Sequence, residues 1–350
     1  MARVTALAGP RAGTVNALLI LLTIPLVASR QQANGVPAEI TRAVNERHAI
    51  GWLRSLDDPG PVSVTDWHPL WFRTVASGRL YRAGRLEFEP IGFKHPFEVW
   101  RQRTGEATVL VAEDGVRLSA DGFLTGQLSS DPNSDPNSDQ SWTSRRRQRD
   151  GALVANPVLP TGEVRRAPVR LPLADWHRVL ARGGPVLDLH VPERTELSVT
   201  GLGDALHRAW ELARQFHPEH HAAGFVCASW LFCPQLDDVL RTEDGTPATG
   251  RDSRILRWQE EGYLFPDDAP DGSFLNWTFG ARSIDPAVAP RDSRLRRGAL
   301  RRLAAGEPLR SGGWLLLADD LARFGQRPYR DSSTATIIRT AIPTVPAAPG

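Results

Sequence analysis

The sequence predicts a mixed α/β (α+β) fold, with a helical N-terminal segment, then an antiparallel meander, then a mixed sheet flanked by helices. Three observations predict it. Apolar residues recur at near-helical spacing from Val15 to about Leu56. Short alternating segments separated by glycine turns follow from Gly78 onward. Beyond Gly162, apolar strand-like runs alternate with helical patterns, an order that is typical of layered sheet-and-helix domains.

The composition describes an ordinary globular chain and excludes several partners. Its 350 residues predict two domains or one large one. The formal net charge is +2, so no basic field indicates a nucleic-acid partner. The only two cysteines, Cys227 and Cys233, are too few for a disulfide framework and lack zinc-site spacing. These features predict a cytoplasmic protein without a metal, and they leave its oligomeric state open.

The apolar stretch Ala17–Ala28 follows Arg3 and Arg11, as the core of a signal peptide would. It is too short to span a bilayer as a helix, and Pro25 interrupts it. No small-residue cleavage site follows cleanly. We therefore expect a buried helix and no membrane contact, with export as the alternative.

The first half of the chain is predicted to be helices followed by strands. A second helix is expected over Trp67–Ser77, and Gly84 interrupts a strand over Arg79–Glu89. Ser129–Arg149 repeats Asp-Pro-Asn-Ser and ends in an arginine run, which predicts a flexible polar insert. Further short strands are expected at Phe97–Gln102, Ala107–Ala112 and Val116–Leu118.

The second half is predicted to alternate strands and helices. Strands are expected at Val164–Leu171, Val186–Val191, Ala222–Leu231, Ile255–Trp258, Asn276–Phe279 and Gly313–Leu317. Helices are expected at Leu173–Ala181, within Leu197–Phe216, at Leu236–Leu240 and at Leu295–Ala305.

The stretch from Val186 onward carries the main candidate site. The strand ends in His190 and Val191, and a helix begins near Thr200, Gly201 and Gly203. Free backbone N–H groups at a helix start bind phosphate, and glycine lets the backbone approach a ligand. A tight turn with an ordinary helix cap is the alternative. His190 fits a proton acceptor near neutral pH, or a histidine bonded to the backbone.

The second candidate segment is the apolar strand that contains Ser229. A buried hydroxyl needs a partner or a ligand, but Ser229 lacks the G-x-S-x-G context of a hydrolase nucleophile. Trp230 fits core or pocket wall. A hydrolase that uses Ser229 or Cys227 stays a third alternative. The cluster His217–His221 lacks helical metal-ligand spacing, so a solvated turn is expected there.

Several segments, in order along the chain, resemble a bacterial group of acyltransferase-domain proteins. In that group a GNAT-like C-terminal domain follows an N-acyltransferase N-terminal domain. The resemblance covers about residues 15–330, with gaps. It rests on Gly35–Ile40, Gly78–Phe88, Leu189–Pro192, Phe225–Leu236, Ser253–Gln259, Pro290–Arg296 and Gly312–Leu316.

The resemblance implies transfer of an acyl group from an acyl-CoA-like donor to an amine or hydroxyl of a small-molecule acceptor. It implies a tail at residues 1–13, an N-terminal domain at 14–168, a GNAT-like domain at 169–330 and a tail at 331–350. In GNAT-type folds the donor arm lies between two splayed strands, here Val186–Val191 and Ala222–Leu231 by position. Catalytic roles would then fall on His190, Ser229 and Tyr263. Donor contacts would fall on Val191, Thr200, Gly201, Gly203 and Trp230.

The chain also departs from the family pattern. The usual pyrophosphate loop R/Q-x-x-G-x-G/A is absent, and the acidic Glu193 and Glu196 stand in the loop that would meet the pyrophosphate. Arg254 replaces an asparagine of the pattern. These departures favour the alternative of a non-catalytic ligand-binding protein on a degenerate GNAT-like scaffold.

Overall fold

A computed structural model describes residues 12–57, 74–125, 141–192, 195–242, 245–267, 272–281 and 283–330. The fold class is the predicted α/β mixture of helices and sheets. Two compact units make up the chain, and neither is continuous in sequence. The first unit comprises the described residues up to Ile91 together with Leu187–Thr195 and Asp204–His221, and the second comprises the rest. The predicted boundary between residues 168 and 169 lies inside the second unit.

The first unit begins with two helices, α1 (Ala12–Ala33) and α2 (Ala38–Asp57), which pack against each other. Helix α1 confirms the predicted helix, but its predicted burial is wrong for three leucines one turn apart. Leu18, Leu22 and Leu26 are 51%, 69% and 61% exposed, whereas Val27 is buried. None of the described helices combines the length and the apolar character that a bilayer crossing requires.

A hairpin follows the helices, where the sequence predicts one long strand. Strands β1 (Tyr81–Ala83) and β2 (Leu86–Gly92) pair antiparallel, with Ala83 opposite Leu86. Gly84 takes a φ of 59° in the tight turn between them, a backbone conformation that favours glycine. Only Thr74–Ala76 of the predicted Trp67–Ser77 helix are described as helical, and Trp67 lies outside the described residues.

The unit is completed by most of β12 (Pro185–His190), which follows β1 and β2 in sheet order, and by α3 (Val199–Phe216) from Asp204 onward. The first residues of both elements belong to the second unit. Both elements match their predicted bounds closely. Their apolar residues are buried, as the amphipathic pattern requires: Leu187, Leu189, Leu202, Ala205, Leu206 and Ala209.

In the second unit, the predicted antiparallel meander forms a four-stranded sheet in the order β11-β3-β4-β9. Its strands are β3 (Phe97–Gln102), β4 (Thr108–Ala112), β9 (Pro157–Val158) and β11 (Trp176–Leu180). The prediction of a helix over Leu173–Ala181 is wrong, because β11 pairs antiparallel with β3 there. A two-stranded sheet of β5 (Arg117–Leu118) and β6 (Trp142–Thr143) accompanies it.

A three-stranded sheet has the order β10-β8-β7, with strands β7 (Arg146–Arg149), β8 (Ala152–Ala155) and β10 (Val169–Pro172). The predicted polar insert is therefore wrong at the arginine run, which pairs antiparallel with β8. Residues 126–140 of that insert lie outside the described residues. Side chains of the two sheets form one apolar core: Trp100, Ala107, Val109, Val111, Leu153, Ala155, Val169, Leu171 and Trp176.

The last three strands of the second unit are β13 (Gly224–Ser229), β14 (Tyr263–Pro266) and β15 (Gly312–Leu317), antiparallel in the order β13-β15-β14. Strand β14 is not predicted by the sequence. The strands predicted at Ile255–Trp258 and Asn276–Phe279 are wrong, because both segments are helical. The helices of this part are α4 (Leu236–Leu240), α5 (Gly250–Glu260), α6 (Gly272–Phe279) and α7 (Arg294–Ala304).

Candidate functional site

The candidate site begins at His190, the last residue of β12. Its side chain is half-buried, because burial alternates along the strand and places Leu189 in the core. The chain then turns at Pro192, where the Thr195 hydroxyl donates to the Pro192 carbonyl oxygen at 2.5 Å. The same hydroxyl lies 3.4 Å from the carbonyl oxygen of Arg85. The residue after the strand, Val191, is half-buried.

Helix α3 starts where the sequence predicts a helix start that could bind phosphate. The helix begins at Val199, and the first i→i−4 bond runs from the N–H of Leu202 to the carbonyl oxygen of Ser198. No acidic residue stands in its first turn. Thr200 is exposed and Gly201 is half-buried. The positive end of the helix dipole and its unused N–H groups favour an anion at this point.

The glycine at Gly203 has a packing reason in addition to its predicted role. A Cβ atom at this position would lie 3.3 Å from Cδ1 of Phe324. Phe324 and Gly325 follow a 3₁₀ turn, and the N–H of Gly325 donates to the buried Glu261 carboxylate at 2.7 Å. A larger residue here would therefore press on the Phe324 ring, whether or not a ligand binds.

Two departures from the family pattern form an ion pair. Arg254 Nη1 on α5 lies 3.6 Å from Glu196 Oε1, in the loop before α3. Both side chains are about half exposed, so the pair adds little stability, but it offsets the acidic charge of Glu196 near the helix start. Because Arg254 and Glu196 are far apart in sequence, the sequence alone did not predict this ion pair. Glu193 lies outside the described residues.

Ser229 ends β13 and caps the next turn. Its Oγ accepts a hydrogen bond from the N–H of Leu231 at 3.3 Å, at the start of the 3₁₀ turn Trp230–Phe232. The serine hydroxyl hydrogen is not used by this bond. Trp230 is half-buried, and its ring meets that of Phe274 edge-on at 6.0 Å between centroids. This capping hydrogen bond accounts for Ser229, the polar residue whose role the sequence left open.

The structure corrects the catalytic prediction for Tyr263. Its side chain is fully buried on β14, and its hydroxyl donates to the carbonyl oxygen of Val158 at 2.5 Å. Burial is the main cause that raises the pKa of this phenol far above its ordinary value. A phenol without solvent access that already donates to a backbone carbonyl is a structural group, and it is a poor acid for a leaving thiolate.

The two cysteines and His217, which the sequence also singled out, lie in buried positions that fit a structural role. Cys227 and Cys233 are buried and form no disulfide, and burial raises the pKa of the Cys233 thiol to about 12. His217 Nε2 lies 2.8 Å from the hydroxyl oxygen of Tyr81. Within the described ranges, no three His, Cys, Asp or Glu side chains come together as a metal-ligand set.

The model of the family described as GNAT-like C-terminal domain matches residues 80–315 of this chain. The match covers more than half of the chain, which therefore belongs to this family. No curated protein matches it.

Solved structures of acyltransferases are similar at low identity. One, in complex with decanoyl-CoA, has 18% identity and a TM-score of 0.49, over 88% of this chain and 67% of its own. A mutant acyltransferase in complex with octanoyl-CoA has 21% identity and a TM-score of 0.49, over 88% and 68%. A third, with decanoyl-CoA and teicoplanin, has 21% identity and a TM-score of 0.45, over 85% and 64%. These scores lie below 0.5 and establish no shared activity.

Proposed function

We propose that this protein is an acyltransferase that moves an acyl group from an acyl-CoA-like thioester to an amine or hydroxyl of a small-molecule acceptor. The observation that carries the proposal is the α3 start, which follows the strand ending in His190 and has no acid in its first turn, in a chain of the GNAT-like family. The two buried cysteines, which form no disulfide, suit a reducing cytoplasm, where we propose that the protein acts.

The donor pyrophosphate would bind at the start of α3. Backbone N–H groups at Thr200 and Gly201 would donate to its oxygens, and the helix dipole would favour its charge. Gly203 keeps this turn free of a bulky side chain. Because Arg254 pairs with Glu196, the loop carries less repulsion than its sequence alone indicates. Trp230, half-buried, would flank the pantetheine arm.

In the proposed reaction, the acceptor nitrogen or oxygen attacks the thioester carbonyl carbon. A C–N or C–O bond forms, the C–S bond breaks, and CoA leaves as the thiolate. His190 would take the acceptor proton, because an imidazole can accept it near neutral pH. The N–H of Val191 would donate to the developing oxyanion. The unused hydroxyl hydrogen of Ser229 would bond to the leaving sulfur, and solvent would supply its proton.

Donor binding is tested first by thermal unfolding with acetyl-, octanoyl- and decanoyl-CoA. We expect Tm to rise with ligand concentration, because a ligand that binds only the folded state stabilises it. Thr200→Glu places a carboxylate where the pyrophosphate would bind, and acids favour a helix start, so the fold should hold. We expect this variant to lose the stabilisation, with Thr200→Gln as the neutral control. No Tm change of the unaltered protein at millimolar acyl-CoA would reject the donor.

The alternative is a ligand-binding protein without catalysis. The absence of the usual family pyrophosphate loop favours it. Thiol release in the presence of acyl-CoA and a panel of amines and alcohols distinguishes the two functions. Acyl-CoA binding with thiol release that depends on both acceptor and His190 supports the enzyme. Acyl-CoA binding without thiol release from any donor–acceptor pair supports the alternative.

A further inference from the structure

A cavity of about 690 Å³ lies in the first unit, where the end of α1 meets the loop before β1 and the turn after α3. Its size is that of a pocket for a small organic molecule. The proposed function makes no use of it. The lining residues that matter for its chemistry are Arg30, Asn34, Arg79, His217, Glu219 and His220.

The two arginines give the cavity its charge. Arg79 makes no ion pair with any described carboxylate, and Arg30 uses one guanidinium nitrogen, Nη1, to donate to the carbonyl oxygen of Ala76 at 3.1 Å. Glu219 is the acidic residue of the lining. Hydrogen bonding, mainly to its own backbone N–H, lowers its pKa, so it is ionised at neutral pH. Two guanidinium groups against one carboxylate leave the lining positive.

The loop that carries Arg79 is held in place. Gln31 is 1% exposed, and its Nε2 donates to the carbonyl oxygens of Gly78 at 3.2 Å and Leu80 at 3.0 Å, on either side of Arg79. The N–H of Arg79 donates to Ser77 Oγ at 3.0 Å. The backbone of Arg79 is therefore positioned before any ligand arrives, which lowers the entropy cost of binding.

His217 forms a neutral wall of the cavity. Burial, as the largest cause, lowers its pKa, and burial also raises the pKa of Tyr81 to about 12. The Tyr81 hydroxyl therefore keeps its proton and donates to His217 Nε2 at 2.8 Å. The ring proton then sits on Nδ1, 3.6 Å from Glu219 Oε1. In this arrangement His217 contacts the Glu219 carboxylate, and the guanidinium groups of Arg30 and Arg79 can contact an anion in the cavity.

We infer that this cavity binds a small molecule that carries a carboxylate or phosphate group, with Arg79 as the main charged contact and Arg30 as the second. Arginine donates in a planar fork that fits either anion. The cavity is lined by residues of the first unit, whereas the proposed donor site at the start of α3 belongs to the second unit. The inference therefore describes a separate site and does not depend on acyl transfer.

The test is calorimetric titration of the full chain with inorganic phosphate and, separately, with succinate at low ionic strength. We expect at least one anion to bind the unaltered protein, and the anion that binds identifies the class. Arg79→Ala should weaken binding roughly tenfold or more, and Arg79→Lys by less, since lysine keeps the charge but not the fork. Arg42→Ala is the matched control, because Arg42 is an exposed arginine paired with Glu46 and does not line the cavity.

Three results would overturn the inference. They are absence of binding of both anions at millimolar concentration, equal affinity in Arg79→Ala, and equal weakening in Arg42→Ala. Thr200→Glu should leave this anion binding unchanged, which separates the cavity from the proposed donor site. Arg79 makes no described ion pair, so its removal should preserve the fold, and an unchanged Tm without ligand verifies this.

Discussion

Arg101 and Asp320 form a buried, two-pronged ion pair across 219 positions of sequence. Arg101 Nη1 donates to Asp320 Oδ2 at 2.8 Å, and Nη2 donates to Oδ1 at 2.9 Å. The Tyr329 hydroxyl adds a third bond to Oδ2 at 2.9 Å and accepts one from the N–H of Leu317 at 2.8 Å. Asp320 is 1% exposed, so its charge depends on these partners.

We expect Asp320→Ala to lower the free energy of unfolding by about 3–5 kcal/mol, because it leaves the Arg101 charge buried without compensation. Arg101→Met should cost less, because Asp320 keeps the Tyr329 hydroxyl and Arg323, whose Nη1 lies 3.4 Å from Oδ1. The double variant should cost less than the sum of the two single changes. Urea unfolding of all four proteins measures this, and strict additivity would contradict direct coupling.

His190→Ala should reduce acyl transfer by about 10²–10⁴-fold, the usual contribution of a general base. The rise of Tm with acyl-CoA should be unchanged, because the donor phosphates are proposed to bind at the α3 start. Single-turnover thiol release measures the first effect and ligand-dependent unfolding measures the second. Loss of donor binding together with activity would instead assign His190 to the donor pocket.

Tyr263→Phe distinguishes a structural tyrosine from a catalytic acid. The hydroxyl donates to the carbonyl oxygen of Val158, so its removal should cost about 1 kcal/mol of stability. The transfer rate should be unchanged. A rate loss of tenfold or more in a folded Tyr263→Phe protein would restore Tyr263 as the acid for the leaving thiolate.

The buried His217 should make the protein sensitive to mild acid. Its pKa in the folded state lies below the ordinary histidine value of 6.5, so below about pH 6.5 the unfolded chain binds a proton that the folded chain does not. The stability that neutral His217 contributes is full above that pH and is lost as the pH falls. His217→Gln can still accept the Tyr81 hydrogen bond but does not titrate. We expect its unfolding free energy to fall less between pH 7 and pH 5.

The sequence predicted the elements whose burial follows one simple period. Strand β12 buries its apolar residues and alternates core and half-buried residues from Leu187 to His190, and α3 keeps its apolar residues on one face, so both were found within a few residues. The strand–loop–helix of the candidate site was therefore predictable. The ion pair of Glu196 with Arg254 was not, because it depends on the fold of residues far apart in sequence.

The wrong predictions have identifiable causes. Strand β11 buries Trp176 and Leu180, a spacing of four that imitates a helix. Residues four apart share a face in a regular strand as well as in a helix, so this spacing does not distinguish the two. In α5 the reverse occurred, because Ile255 and Trp258 are buried at helical spacing in a segment whose first residue, Gly250, gives no helix signal.

The two thiols of this chain can report on its opening. Cys227 and Cys233 are the only cysteines of the sequence, both are buried, and neither forms a disulfide. A thiol reagent can attack them only when β13 or the turn after it opens, so the labelling rate follows the population of that open state. The unaltered protein thus contains a chemical reporter for its second unit. Ligands of the proposed donor site should slow its labelling, whereas anions in the first-unit cavity should slow it only if the two units open together.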